Sequence, residues 1–145
     1  MTKRMDYYQA APEAMKAMFG LEKAAQASSL EKSLRELVRI RASQINGCAF
    51  CIDMHVADAL KAGEDSRRIF ALNAWRETPF FSERERAAFL WTETLTLVAQ
   101  KGAAQEIYDE VKAQFSEQEM AELTFEIATI NAWNRFGVGF GVQPE

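Results

Sequence analysis

Ser82-Glu-Arg-Glu85 and Ser116-Glu-Gln-Glu119 are both Ser-x-x-Glu segments. In such a capping box the serine hydroxyl and the glutamate carboxylate each satisfy a free backbone N–H at a helix start. The first predicts a helix from about Glu83 to Gln100, with Ala87, Leu90, Trp91, Thr94, Leu95 and Val98 as its helical stripe. The second predicts a helix to about Arg135, preceded by a shorter one near Ala103 to Phe115. Proline and glycine are sparse and fall where helices begin or end. Pro12 opens a run to about Ala27 whose Ala14, Met15, Met18 and Leu21 share a face. A helix starting near Ser29 or Leu30, with Leu34, Leu37, Val38 and Ile45 in register, meets Asn46-Gly47, a dipeptide suited to a C-cap or tight turn. Cys48 to Ala62 follows, closed by Gly63, and then a short helix from Arg67 to Trp75 before Thr78-Pro79. Gly137, Gly139 and Gly141 predict a loose or turned tail. No segment alternates with a period of two and no repeat is present. The expectation is an all-α domain of six to seven helices spanning residues 1–145.

Electrostatics narrows the partners. Lys and Arg number 17 against 21 Asp and Glu, a formal charge of −4, so nothing recruits a phosphate backbone or an anionic membrane. The longest stretch without a charge, Ala42 to Ile52, falls well short of the roughly 18 apolar residues a membrane span needs. The first eight residues carry two basic side chains and no apolar segment behind them. The expectation is a cytoplasmic protein that binds neither nucleic acid nor membrane.

The chain has two cysteines, Cys48 and Cys51, and one histidine, His55, all within eight consecutive positions. In a reducing compartment a close cysteine pair points to redox chemistry or to a metal. Residues at i and i+3 of a helix lie roughly 5 to 6 Å apart, which matches the Cα separation a disulfide prefers. The pair can therefore pass between dithiol and disulfide with little backbone movement. A free thiol with a pKa of about 8.5 is only about 3% ionised at pH 7. Cys48, at a helix start, gains from unsatisfied N–H groups and the positive dipole end. Cys51 gains from His55, one turn on along the same face, which can take its proton.

An imidazole base works better when a third group orients it. In an antiparallel hairpin turning at Asn46-Gly47, Glu36 lies about 15 Å back from the turn and His55 about 12 Å forward, so the two stand level. The expected chain of contacts runs from Glu36 to His55 to Cys51 to Cys48.

Glu36, Cys48-Ala-Phe-Cys51 and His55 together resemble the core motif of the alkylhydroperoxidase D family, within the wider carboxymuconolactone decarboxylase superfamily. The surrounding Leu34 to His55 text, Trp75-Arg-Glu-Thr-Pro-Phe-Phe81 and Asn131-Ala-Trp-Asn-Arg135 also resemble its small single-domain members, from about residue 6 to 137. The resemblance implies an all-helical fold and a thiol peroxidase acting on hydroperoxides. In it Cys51 is the attacking thiol, Cys48 the partner that condenses with its sulfenic acid, and Glu36 and His55 the proton relay. It also implies a dithiol reductant, in known cases a lipoyl-bearing protein, and assembly as trimers or as hexamers built from dimers. No cofactor is implied. Some members carry a further histidine just before the second cysteine; here that place is Phe50, which shortens the relay. A base confers local proton transfer that a dipole does not, so Cys51 is favoured as the attacking sulfur. Cys48 is then expected to face solvent and meet the external dithiol.

Other readings of the same residues are weaker. A structural disulfide closing four residues stabilises by only about 1.9 kcal/mol in the chain-entropy picture. Zinc on Cys48, Cys51, His55 and Glu36 lacks the paired spacing of structural sites, and no metal is expected. Asp53 projects to a different side than His55 and reads as solvated surface. Trp75, Phe80, Phe81, Trp91 and Trp133 read as core or subunit contacts, some of which could line an apolar passage to the thiols. Two competing functions are a redox-responsive assembly module without turnover and a lactone decarboxylase, which needs no cysteine pair.

Overall fold

A computed structural model describes residues 3–145. Among them the chain forms nine α-helices, one 3-10 helix and no strand. These are α1 (Tyr7–Ala10), α2 (Pro12–Gln26), α3 (Lys32–Asn46), α4 (Ala49–Lys61), α5 (Ser66–Ala71), α6 (Glu83–Thr96), α7 (Val98–Lys101), α8 (Gln105–Lys112) and α9 (Glu117–Gly139), with the 3-10 turn at Leu72–Glu77. The all-α expectation holds, and both capping boxes form as read, Ser82 with Glu85 and Ser116 with Glu119.

The count exceeds the expected six to seven in part because the four-residue α1 and α7 stand apart from their neighbours, and three boundaries differ from the sequence reading. The stripe beginning at Glu83 breaks at Leu97, whose φ of −103° and ψ of 24° leave the helical region, so α6 and α7 are separate. The Arg67–Trp75 segment tightens into 3-10 and kinks at Ala74. The C-terminal glycines do not loosen the chain: α9 continues through Gly137 to Gly139, and only Gly141 takes a positive φ. Helix-interior glycine costs roughly 0.5 to 1 kcal/mol relative to alanine. Close packing at Gly137 offsets that cost.

Helices α3 and α9 form the middle of the molecule. α3 packs against α4, α6 and α9, and α9 packs against α2, α3, α4 and α6. Leu34, Val38, Trp91, Leu123 and Ile127 make one core between α3, α6 and α9. Leu37, Ile40, Leu72, Trp75, Phe81 and Phe89 make a second on the other side of α3 and α6. Fully burying side chains of this size stabilises by about 1.5 to 3 kcal/mol each. A third, small cluster of Ala42, Cys48, Cys51 and Ile130 lies where α3, α4 and α9 converge, with Phe50 and Trp133 at its edge. Helix α2 covers that end incompletely: Met15 is buried, Met18 and Leu21 are half-buried, and Ala14 of the expected stripe is exposed. No helix among the described residues is long and apolar enough to cross a membrane.

Candidate active site

The turn between α3 and α4 fixes the cysteine pair. Gly47 adopts a φ of 66°, where a side chain would be strained, and its N–H donates to the Gln44 carbonyl. The Cys48 N–H donates to the Ser43 carbonyl at 3.0 Å, completing a Schellman closure of α3. Cys48 is at the same time the N-cap of α4, extended in backbone, and its Sγ accepts from the Cys51 N–H at 3.3 Å. One residue therefore ends one helix and begins the next. The turn is tied to α9 by Asn46, whose Nδ2 donates to Oδ1 of Asn131 at 2.9 Å and of Asn134 at 2.8 Å; Asn134 in turn donates to Ser43 Oγ at 3.0 Å.

Cys48 and Cys51 are joined in a disulfide with a Cα–Cα separation of 5.3 Å, within the range read from their i, i+3 spacing. The antiparallel α3–α4 hairpin brings Glu36 level with His55 as expected. His55 Nδ1 lies 2.9 Å from Glu36 Oε2. A carboxylate only accepts, so Nδ1–H donates, and in the neutral ring Nε2 is the nitrogen that carries the lone pair. His55 is 5% exposed, and Nε2 has no hydrogen-bond partner within the described chain. It sits one turn along α4 from Cys51, on the same face.

A cavity of about 300 Å³ opens onto this group. Cys51, His55, Glu36 and Phe50 line it, and Cys48 does not. Both sulfurs belong to residues only 2% exposed, so the expectation that Cys48 faces solvent is corrected. The cause is α9. A β-carbon at Gly137 would lie 2.6 Å from Cys48 Sγ, so the helix backbone rests on that sulfur and shuts it from water. Cys51 is left as the sulfur on the cavity wall.

Sequence reasoning missed the buried charged part of the lining. Arg39, 4% exposed, pairs through Nε with Glu126 Oε1 and through Nη1 with both oxygens of Glu22, at 2.9 and 3.0 Å. Trp133 Nε1 donates to Glu22 Oε2 at 3.0 Å. Burial pushes the Glu22 carboxyl up, but the Arg39 charge and the bonds from Trp133, Arg39 and Gln26 outweigh it and hold the group below the ordinary range. Glu126, 1% exposed, is the deeper carboxyl, and burial pushes it up against the pull of Arg39. No spacing rule flags Arg39 or Glu126, since they meet from positions far apart in the chain. Of the aromatic residues singled out, Trp75, Phe81 and Trp91 are core, and Trp133 lines the cavity. Asp53 is exposed, as expected.

For a metal, the donors nearest one another are Glu36, His55 and the exposed Asp58, with ligand atoms within 4.8 Å. The two sulfurs are bonded to each other and offer no thiolate in this state.

The sequence profile of the carboxymuconolactone decarboxylase family matches residues 12–94, more than half the chain and the part that carries Glu36, both cysteines and His55. The chain belongs to this family. Its similarity to the uncharacterized protein YdfG of Bacillus subtilis (strain 168) is 45% identity over 141 residues, covering 97% of this chain and 96% of that one. A crystal structure of ATU0492 from Agrobacterium tumefaciens, a protein of unknown function for which an AhpD antioxidant-defence role has been suggested, superposes with a TM-score of 0.95 at 41% identity over 99% of both chains. An uncharacterized peroxidase-related protein from Silicibacter sp. TM1040 shares the fold at a TM-score of 0.83 and 20% identity, covering 95% of this chain and 73% of its own. The chain is thus an alkylhydroperoxidase D-like member of the carboxymuconolactone decarboxylase family.

Proposed function

We propose that the protein is a thiol-dependent peroxidase that reduces organic hydroperoxides through a dithiol–disulfide cycle on Cys48 and Cys51. The observation that carries this reading is the 2.9 Å contact of His55 Nδ1 with Glu36, which leaves Nε2 basic beside a cavity that reaches Cys51. In the reduced protein His55 Nε2 takes the Cys51 proton. The thiolate attacks the terminal peroxide oxygen; an S–O bond forms, the O–O bond breaks, and the departing alkoxide takes the proton from His55 to leave as an alcohol. Cys51 is then a sulfenic acid. The Cys48 thiol, one turn away, attacks Cys51 Sγ; the S–S bond forms, the S–O bond breaks, and hydroxide leaves with the Cys48 proton as water. Glu36 stabilises the imidazolium while it exists.

An external dithiol, of the lipoyl type, resets the pair by two exchanges: it enters the cavity, forms a mixed disulfide at Cys51 with release of Cys48, and leaves as its own disulfide. Cys51 is the point of entry because it, and not Cys48, lies on the cavity wall. Exposed Tyr8, Phe19 and Met54 line the same cavity, so its approach is apolar. The active form is read as a homo-oligomer, a trimer or hexamer, working in the cytoplasm.

The test is intact-mass analysis with thiol trapping after one equivalent of cumene hydroperoxide is added to the reduced protein. A Cys48–Cys51 bridge in the native chain, and a sulfenic acid on Cys51 in Cys48→Ser, are the expected products. Two thiols left unchanged would overturn the assignment.

A further inference from the structure

Five buried side-chain polar atoms among the described residues have no hydrogen-bond partner within the chain, and four belong to residues lining this one cavity: Arg35 Nε, Arg39 Nη2, His55 Nε2 and Glu126 Oε2. An orphaned buried donor or acceptor costs about 1 to 3 kcal/mol, so native proteins keep few and rarely cluster them without use. His55 Nε2 is accounted for by the reaction. Arg35 Nε, Arg39 Nη2 and Glu126 Oε2 are not, and the last two belong to side chains bonded to each other.

Their arrangement is specific. Nε and Nη2 form one edge of a guanidinium, and a carboxylate usually takes both in a parallel pair. Here Nε bonds Glu126 Oε1 while Nη2 and Oε2 are both left over, a donor beside an acceptor on residues 4% and 1% exposed. A single hydroxyl satisfies both, accepting from Nη2 and donating to Oε2. Among the lining side chains the acids Glu22, Glu36, Asp58 and Glu126 outnumber Arg35 and Arg39, which disfavours a carboxylate ligand, and a cation cannot accept from the orphaned Nη2. Around this pair the cavity is aromatic, with Tyr7, Phe19, Phe50 and Trp133. Ile130, which packs in the cluster with Cys51, follows Glu126 by one turn of α9, roughly 6 Å.

We propose that the Arg39–Glu126 pair is a hydroxyl-recognition subsite, and that it holds the hydroxyl of an aromatic molecule within the same cavity that Cys51 lines. This deepens the reading above, resting on it only for Cys51 as the reacting sulfur, and makes the organic portion of the substrate a phenol or aryl alcohol.

The test uses two ligands that differ by one hydrogen-bond donor, 4-tert-butylphenol and its methyl ether, titrated calorimetrically into the oxidised protein. A hydrogen bond to a charged group predicts that the phenol binds roughly tenfold to a hundredfold tighter. In Glu126→Gln, checked for native circular dichroism, that preference collapses to within about twofold. In the reduced native chain, the phenol slows alkylation of Cys51 at concentrations where the ether does not, a measurement that needs no variant to fold. Equal affinity of phenol and ether, or failure of the phenol to protect Cys51, overturns the subsite. Neither result depends on hydroperoxide turnover, which the mass experiment reads separately.

Discussion

Gly137 of α9 lies against Cys48 so closely that a β-carbon there would stand 2.6 Å from its Sγ and 3.4 Å from that of Cys51. Gly20 of α2, by contrast, has nothing within 4 Å of its own β-carbon position. The same substitution should therefore have opposite signs at the two sites. Gly20→Ala stabilises by about 0.5 to 1 kcal/mol, because helix-interior glycine loses more backbone freedom on folding. Gly137→Ala destabilises the oxidised protein by about 1 to 3 kcal/mol, the usual cost of forcing a methyl group into a packed core. Urea denaturation of both variants checks the pair, and a stabilised Gly137→Ala would contradict the packing.

Cys51→Ser is expected to abolish peroxide-dependent thiol oxidation. Cys48→Ser should retain one round of oxidation and stop at the sulfenic acid, since no second sulfur condenses with it. Trapping with a dimedone-type reagent and peptide mapping distinguishes the two.

Removing the base should matter most where the thiol does not ionise unaided. His55→Ala is expected to slow reaction with hydroperoxide by about a hundredfold to ten-thousandfold at neutral pH. The deficit narrows as pH rises, because hydroxide then deprotonates the thiol without the imidazole. Glu36→Gln keeps an acceptor for Nδ1 and removes the charge that stabilises the imidazolium, so its loss is smaller. Single-turnover rates across pH 6 to about 10 test both; a deficit that does not change with pH would refute the role of His55 as base.

Away from the cavity, Glu93 gathers Trp75 Nε1 and Arg41 at 3.0 Å and Arg76 at 2.8 Å. Burial pushes its carboxyl up, but the bonds from Trp75, Arg76 and Arg41 and the Arg41 charge hold it below the ordinary 4.5. A carboxyl lowered on folding contributes stability that is fully present above the unfolded value and is lost as pH falls through the folded one. Glu93→Gln should therefore be less stable than the native chain at neutral pH, and the gap should close as pH drops below about 4.5. Thermal melts in a pH series read this directly; a gap that widens in acid would reverse the sign.

The cysteine–histidine half of the site was legible because its spacing is local. Cys48, Cys51 and His55 sit on one helix, and Glu36 is reached through a hairpin whose turn, Asn46-Gly47, announces itself chemically. Helix starts with capping boxes were equally readable. What could not be read depends on contacts across the chain. Nothing near Gly137 in the sequence says that a sulfur lies against it, so the glycine reads as a tail signal and Cys48 as the exposed thiol. Nothing in the sequence distinguishes Arg39 from Arg35 and Arg41 on α3, yet it is buried because Glu22 and Glu126 arrive from helices α2 and α9. The break at Leu97 is likewise invisible to periodicity, since the apolar stripe runs on through Val98.

Glu126, Ile130, Trp133 and Gly137 follow one another along α9 at intervals of four, three and four, and so occupy a single strip of its surface. Each reaches the cavity by virtue of phase alone. Inserting or deleting one residue between Leu123 and Glu126 would rotate everything downstream by about 100° and carry all four off the cavity at once. Divergent descendants of this chain can thus exchange side chains on the strip one at a time, but length changes in that stretch are closed to them.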